Sequence, residues 1–577
     1  MQKFKVIFLS FVFFFASFSF KLEANAETGI VNPYKVYTYN QMVSDINKLK
    51  RTYPDLIEVK IIGKSEYGRN LYAVSIGKGQ ATLFVNGSHH AREWLTTTLN
   101  MYMIDQYAQA YKRNQKIKGY NARTILNSTT IWFIPMVNPD GVTLQQQGLK
   151  AFPAKYQRSL IKMNEGSKNF KRWKANGKGV DLNRQYNAGW KAIKSPTAPS
   201  YKNYKGKAPE SAAETKAVLR FVSSINLEMA LSYHSSGKIL FWNYKQNKTD
   251  YYRDLSYAKT IGKMTGYRLV YPGKNPSGGG FTDWFIQTKK RPAFTPEISR
   301  SVYETSPPLS EFSGAWKENQ AVGLYTANES FKLYDLRMKQ ETDKLAGQLS
   351  KLQAKAQGLR TYYYLNIKQA KDLKIDRGFK ALYDTINKET ASLERQAAKL
   401  PAKHKARLAG YFKNINTYRS HSKLFIDGVT AGDKLLKTNQ EYDKIFAAGK
   451  FDAVTFSKHA ALLKETGAVE KTVNKMYGKN VISLAKNKYI IPAKNTAENT
   501  KLELDRYTLT REIQAQVAKG EIDTAKSNLA KLEALELKSK RLKETYPAKY
   551  KLYPLAEKRL TELKAGILEA LPAEQAQ

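Results

Sequence analysis

The stretch "ATLFVNGSHHAREWLTTTLNMYMIDQY", Ala81 to Tyr107, changes character halfway along. "ATLFV" reads as a buried strand and "WLTTTLNMYMIDQY" as a helix. His89, His90 and Glu93 then fall on the turn between them, at the carboxyl end of a strand, where ligands collect in open α/β sheets. His90 and Glu93 are three residues apart, so an imidazole nitrogen and a carboxylate oxygen can converge on one ion if the turn starts helically. His89 and Glu93, four apart, can do the same on an ideal helix. Spacing alone leaves both pairs open.

The same alternation extends outward. From about residue 35 to about 330, bursts such as "TTIWFIPMVNPDG", "EMALSYHSS" and "RPAFTPEIS" alternate with amphipathic stretches. That pattern predicts an α/β sheet covered by helices on both faces. Beyond about residue 331 the strand signals stop. Leu345, Leu349, Leu352, Ala356 and Leu359 step by four and three, and Leu382, Ile386, Leu393, Ala397 and Leu400 keep a similar stripe, which predicts an all-α region. "GKFDAVTFSKHAALL" from Gly449 and "GEIDTAKSNLAKLEAL" from Gly520 mark helix starts, with Asp452 and Asp523 as candidate caps.

A chain of 577 residues exceeds what one core organises, and its 42% apolar content excludes a largely disordered protein. The net charge of +45 attracts polyanions, whether nucleic acid, anionic membrane or anionic wall polymer. Lys3 and Lys5, the apolar run Val6 to Phe20, and Ala24-Asn25-Ala26 read as a secretory signal cleaved after Ala26. The run falls short of the roughly 20 residues needed to span a bilayer, and no later run reaches that length. Secretion removes the usual nucleic-acid partner, and no nucleic-acid module is recognisable. With no cysteine, disulfides, zinc–thiolate sites and cysteine nucleophiles are excluded. The expected organisation is a signal over 1–26, an α/β domain over 27–330 and a basic helical domain over 331–577.

The chain has six histidines, and His404, His421 and His459 lie in the helical region. His234, in "LSYHSSG" at the end of another strand, is the natural third partner. Two imidazoles and one carboxylate with a fourth position open form a catalytic zinc site rather than a structural one.

Longer motifs carry a resemblance. "GSHHAREW" resembles the first motif of the zinc carboxypeptidase family, to which pancreatic carboxypeptidases A and B belong, and the register puts its ligand histidine on His90. His89 then packs behind the ligands or faces solvent. "IGKSEYGRNLYAVSIG", "NPDG", "GVDLNRQYNAGW", "YKGKAPESAAETKAV", "SYHSSG" and "SGGGFTDW" with "FTPEIS" continue the resemblance in family order over residues 35 to 330. It implies a mixed open sheet and one zinc on His90, Glu93 and His234. It implies Glu297 as the general base and Asn183 with Arg184 as the clamp on a free substrate carboxylate. "ETGIVNPYKVY" leads almost directly into the family's opening helix, so activity is expected on export without removal of a pro-segment.

Three departures limit what carries over. The family's oxyanion arginine follows a tryptophan, whereas "FKRWKANGKG" places Arg172 before Trp173 and Lys174 after it; Arg172 is favoured here, with Lys174 as the alternative. The family tyrosine that closes over substrate corresponds to Asn275, with Tyr271 the nearest tyrosine. The pocket residue before Asp283 is Thr282, neither acidic nor apolar, so the preferred side chain is not named. Gly278 to Gly280 read as a flexible substrate loop, since the lysine of a phosphate cradle is missing.

The resemblance therefore implies a secreted zinc metallocarboxypeptidase acting next to a free C-terminal carboxylate. The alternative is a wall peptidase cutting the D-glutamyl–diamino acid bond of murein stem peptides, as some bacterial relatives do. A third reading, a non-catalytic wall-binding protein, is disfavoured because every candidate ligand and the candidate base are present. Residues 331 to 577 hold 48 Lys and Arg against 28 Asp and Glu, a net +20. This suits contact with anionic wall polymer, and the region resembles helical wall-binding parts of certain surface-layer proteins. The preceding residues carry +25, so basicity is not special to the tail.

Overall fold

The computed structural model describes residues 29–273 and 276–571, so the expected signal and Asn275 lie outside the described residues. The chain divides into two compact units between Leu336 and Arg337.

The first unit is built on an eight-stranded mixed sheet. Its strands are β1 (Ile57–Lys64), β2 (Asn70–Ile76), β3 (Ala81–Gly87), β4 (Thr129–Ile134), β5 (Met229–Ser235), β6 (Ile239–Phe241), β7 (Arg268–Leu269) and β8 (Ala293–Ile298). In space they run β1-β2-β4-β3-β5-β8-β6-β7. The central neighbours β4, β3, β5 and β8 pair in parallel, while β1–β2, β2–β4 and β8–β6 are antiparallel.

Successive side chains of a strand face opposite sides, and the core divides accordingly. Leu83 and Val85 join one apolar cluster with α1 (Tyr39–Thr52) and α2 (Leu95–Lys112). Phe84, between them, joins a second with α3 (Ala213–Ser224) and α4 (Phe281–Lys289). Its ring sits 6.4 Å from Phe221 and 5.3 Å from Phe281, and burying such a ring contributes about 1.5–3 kcal/mol. Helices thus cover both faces, as the near-continuous apolar runs of the central strands require.

Adjacent parallel strands also end side by side. Gly87 of β3 is in register with Tyr233 of β5, and His234 of β5 with Glu297 of β8. Residues far apart in sequence are brought to one edge by strand order alone.

The second unit is helical. It contains α6 (Arg377–Ala398), α7 (Ala409–Ala447), α8 (Ala453–Val473), α9 (Ile491–Ala518), α10 (Ile522–Thr545) and α11 (Pro554–Ala570), after α5 (Val322–Gln357), which begins in the first unit. Leu345, Leu349, Leu352, Ala356 and Leu359 are buried, so the spaced stripe is a packing face. No helix among the described residues is long and apolar enough to cross a membrane.

Candidate active site

After β3 the chain makes a short 3₁₀ turn, Ala91–Glu93, before α2. That turn settles the choice between the paired histidines. His90 Nδ1 lies 2.7 Å from Glu93 Oε1, His234 Nδ1 lies 2.8 Å from Glu93 Oε2, and the two Nδ1 atoms are 3.2 Å apart. His89 points the other way: it is fully buried, its Nε2 is 2.8 Å from the Tyr186 hydroxyl, and its ring stacks on His234 at 5.6 Å. It packs behind His90, Glu93 and His234 and does not face solvent.

The three inward groups fit a zinc ion. Donors bound at about 2.0–2.1 Å in a tetrahedron lie roughly 3.3 Å apart, close to the spacing of these atoms. His90 Nε2 faces Asp181 Oδ1 at 3.1 Å, the outer carboxylate contact that fixes the ring of a metal-binding histidine. Electrostatics agree with the ligand role. Burial works against the Glu93 charge, but His90 and His234 outweigh it and hold the carboxyl well below its usual range. Burial lowers His234, keeping the imidazole neutral.

Asp181, which the sequence reading passed over within "GVDLNRQYN", ties the surroundings together. Besides His90 it meets Lys174 Nζ at 3.0 Å and Arg184 Nε at 3.5 Å. Burial opposes its ionisation, but Lys174, His90 and Arg184 prevail and its carboxyl stays well below the usual range. Two cations and His90 thus share one fixed anion.

These groups open into a cleft of about 240 Å³ lined by His90, Lys174, Asn183, Arg184, Thr282 and Glu297, among others. Burial and the Glu93 charge push the Glu297 carboxyl well above its usual range, with Lys174 opposing. Asn183 Oδ1 accepts the Phe281 amide at 3.0 Å. The Thr282 hydroxyl meets that of Thr295 at 2.6 Å. Thr295 was not singled out from sequence, although it stands two residues before Glu297 and so shares its side of β8.

One expectation needs correction. Arg172 is not among the lining residues. Its guanidinium is bonded to the Asn164 carbonyl at 3.0 Å and Glu165 Oε2 at 2.8 Å, and lies 3.9 Å over the Tyr201 ring. Lys174, on the other side of buried Trp173, faces the cleft instead. Tyr271, the expected closing tyrosine, is 59% exposed beside the cleft, with its ring edge-on at 5.6 Å to Trp242, which lines it.

The glycines before Thr282 are close-packing residues. Gly278 has φ 68°, and a Cβ there would come within 2.4 Å of the Ala188 carbonyl. Gly279 accepts the Tyr186 amide and donates to the Ala188 carbonyl, which holds the loop against the Arg184 backbone.

Residues 42–322 match the family model described as zinc carboxypeptidase, and residues 364–494 match one described as the SbsC C-terminal domain. The chain is 33% identical over 301 residues to gamma-D-glutamyl-L-diamino acid endopeptidase 1 of Lysinibacillus sphaericus, covering 52% of this chain and 73% of that one. It is 26% identical over 300 residues to carboxypeptidase B of Rattus norvegicus, covering 49% and 68%. Among solved structures, bovine thrombin-activatable fibrinolysis inhibitor in complex with tick carboxypeptidase inhibitor superposes with a TM-score of 0.42 at 21% identity, covering 52% and 99%.

Proposed function

This chain belongs to the zinc carboxypeptidase family and is a zinc-dependent peptidase, and we propose that within that family it hydrolyses the γ-D-glutamyl–diamino acid bond of murein stem peptides outside the cell. The observation that carries the substrate is the hydroxyl pair Thr282–Thr295 in the cleft. A diamino acid ends in an amine, with or without a carboxylate, and needs hydrogen-bonding partners that an apolar pocket lacks. The name of the Lysinibacillus relative supports the same bond.

His90, Glu93 and His234 would hold the zinc, which would supply Lewis acidity and lower the pKa of a water toward neutrality. The remaining work belongs to side chains. Arg184, anchored by Asp181 and flanked by Asn183, grips the free carboxylate of the diamino acid. This sets the scissile bond one residue from the chain end. Glu297 takes the proton of the attacking water and returns it to the leaving amine nitrogen. Lys174, held beside the cleft by Asp181, stabilises the negative charge that develops on the carbonyl oxygen.

Export is supported by Lys3, Lys5, the run Val6 to Phe20 and the small residues ending at Ala26. The +20 tail supports contact with anionic wall polymer.

Mass analysis of products from L-Ala-γ-D-Glu-L-Lys, its α-L-Glu isomer, and peptides ending in Phe or Lys tests the substrate. Free diamino acid from the γ-linked tripeptide alone is expected. Equal trimming of the ordinary peptides would overturn the murein reading in favour of a general carboxypeptidase.

A further inference from the structure

Lys174 and Asp181 both line the cleft, and between them the chain makes a tight turn with Asn176 as its hub. Asn176 is fully buried, and each of its polar atoms is bonded. Its amide donates to the Val180 carbonyl at 2.8 Å, and its carbonyl accepts the Gly179 amide at 3.1 Å. Its Oδ1 accepts the Lys178 amide at 3.0 Å and the Val180 amide at 2.9 Å. Among the described residues only one of these bonds leaves the turn: Asn176 Nδ2 donates to Glu214 Oε2 at 3.0 Å.

Glu214, in the first turn of α3, is fully buried as well. Its Oε1 accepts the Glu66 amide at 3.2 Å, and Glu66 Oε1 accepts the Ala213 amide at 2.9 Å, so the β1–β2 turn and the start of α3 cap each other. One carboxyl thus ties three segments together. Burial, and then the Asp140 charge, push it up to about 8, against hydrogen bonds from its own backbone amide and from Asn176. An apolar residue of the same size would bury at lower free energy, so what the carboxyl adds is placement.

We propose that Glu214 is a positioning residue for the reaction: through Asn176 it sets the turn that carries Lys174 at one end and Asp181 at the other, and so fixes the oxyanion cation relative to the carboxylate that anchors Arg184. Reach, rather than charge, is what the bond to Asn176 requires, because a hydrogen bond is lost when its acceptor withdraws by one methylene. The inference rests on the roles proposed above for Lys174 and Arg184; the choice of scissile bond plays no part.

The test uses the full-length zinc-loaded chain and a peptide that the wild type cleaves. Glu214→Gln keeps the reach and one acceptor oxygen for Asn176, and should hold kcat/KM within about threefold. Glu214→Asp keeps the charge but withdraws the carboxyl by about 1.5 Å, and should lower kcat/KM by roughly tenfold with zinc per chain unchanged. On an Asn176→Ala background the same Asp substitution should add less than about twofold, since the two residues act as a unit. Hydrogen exchange over residues 176–181 should quicken several-fold in Glu214→Asp and stay near wild type in Glu214→Gln. Asp105, equally buried in α2 and bonded to the Val31 amide at 2.9 Å, is the control: Asp105→Ala should lower Tm and leave kcat/KM unchanged. Equal losses in the Gln and Asp variants, full additivity with Asn176→Ala, quicker exchange at unchanged turnover, or a comparable loss of kcat/KM in Asp105→Ala would each overturn the inference. Turnover that ignores both Lys174→Ala and Arg184→Ala overturns the roles proposed above instead, and the exchange comparison then still reads whether Glu214 holds the turn.

Discussion

Lys174 and Arg172 flank the same tryptophan, and only Lys174 faces the cleft. Lys174→Ala is expected to lower kcat/KM by about 10²–10³, the usual worth of one group at a developing oxyanion, with Lys174→Arg recovering part of it. Arg172→Ala should leave turnover nearly intact; a large loss there with an indifferent Lys174→Ala would reverse the assignment. His90→Ala is expected to lose zinc, measured as metal per chain. His89→Ala should keep zinc yet lower stability by about 1–3 kcal/mol, because it empties a buried site and strips Tyr186 of its partner. Glu297→Gln should keep both zinc and substrate binding while turnover falls by about 10²–10⁴.

At the scale of elements, a shared motif hides different capping. Asp452 accepts the Thr455 amide at 2.9 Å and caps α8, whereas Asp523 lies inside the first turn of α10, after a start at Glu521 that no side chain caps. Asp452→Ala should cost the second unit about 1 kcal/mol in thermal or denaturant melting, and Asp523→Ala only a few tenths. Comparable losses would contradict that difference. Further along, α9, α10 and α11 enclose an ionic network. Glu503 meets Arg506 at 2.5 Å, Lys543 at 2.6 Å and the Ser539 hydroxyl at 2.6 Å, and Arg506 meets Glu557 at 2.8 Å. Burial raises the Glu503 pKa, but Arg506 and Lys543 outweigh it and lower the carboxyl below its usual value. A carboxyl depressed by folding adds stability above its unfolded pKa of about 4.3 and loses it as pH falls through the folded value. The second unit should therefore weaken in acid below about pH 4, and Glu503→Gln should flatten that dependence while lowering stability at pH 7 by roughly 3 kcal/mol. An unchanged acid limb in the variant would remove the network from the explanation.

At the scale of the whole molecule, the division after Leu336 says where to cut. Tyr334 bonds Gln80 at 2.7 Å and Ala327 accepts the Thr129 hydroxyl at 3.0 Å, so the start of α5 belongs to the first core. A chain ending at Leu336 is expected to hydrolyse soluble stem peptide like the full chain. Loss of the tail should reduce sedimentation with walls at low salt and matter little near 1 M, where charges are screened within about 3 Å. Sedimentation that ignores both salt and the tail would leave the basic helices without this role. Much of this could be read along the chain. The strand–turn–helix period at Ala81 to Tyr107 and the helical stripe beyond residue 331 are local signals, set by side-chain spacing that any reader can count, and the motif order through Glu297 was legible as a resemblance to the family. What could not be counted was direction and depth. His89 and His90 are chemically identical neighbours, and only the 3₁₀ turn after β3 aims one inward and buries the other against Tyr186. Arg172 and Lys174 both offer a positive charge, and only the packing of Trp173 between them decides which reaches the cleft. Asp181 gains its meaning from His90, 91 residues away, and Thr295 from Thr282, 13 residues away on the preceding helix, while the sheet order β3-β5-β8 sets His234 beside Glu297, a pairing of strands that the sequence keeps apart.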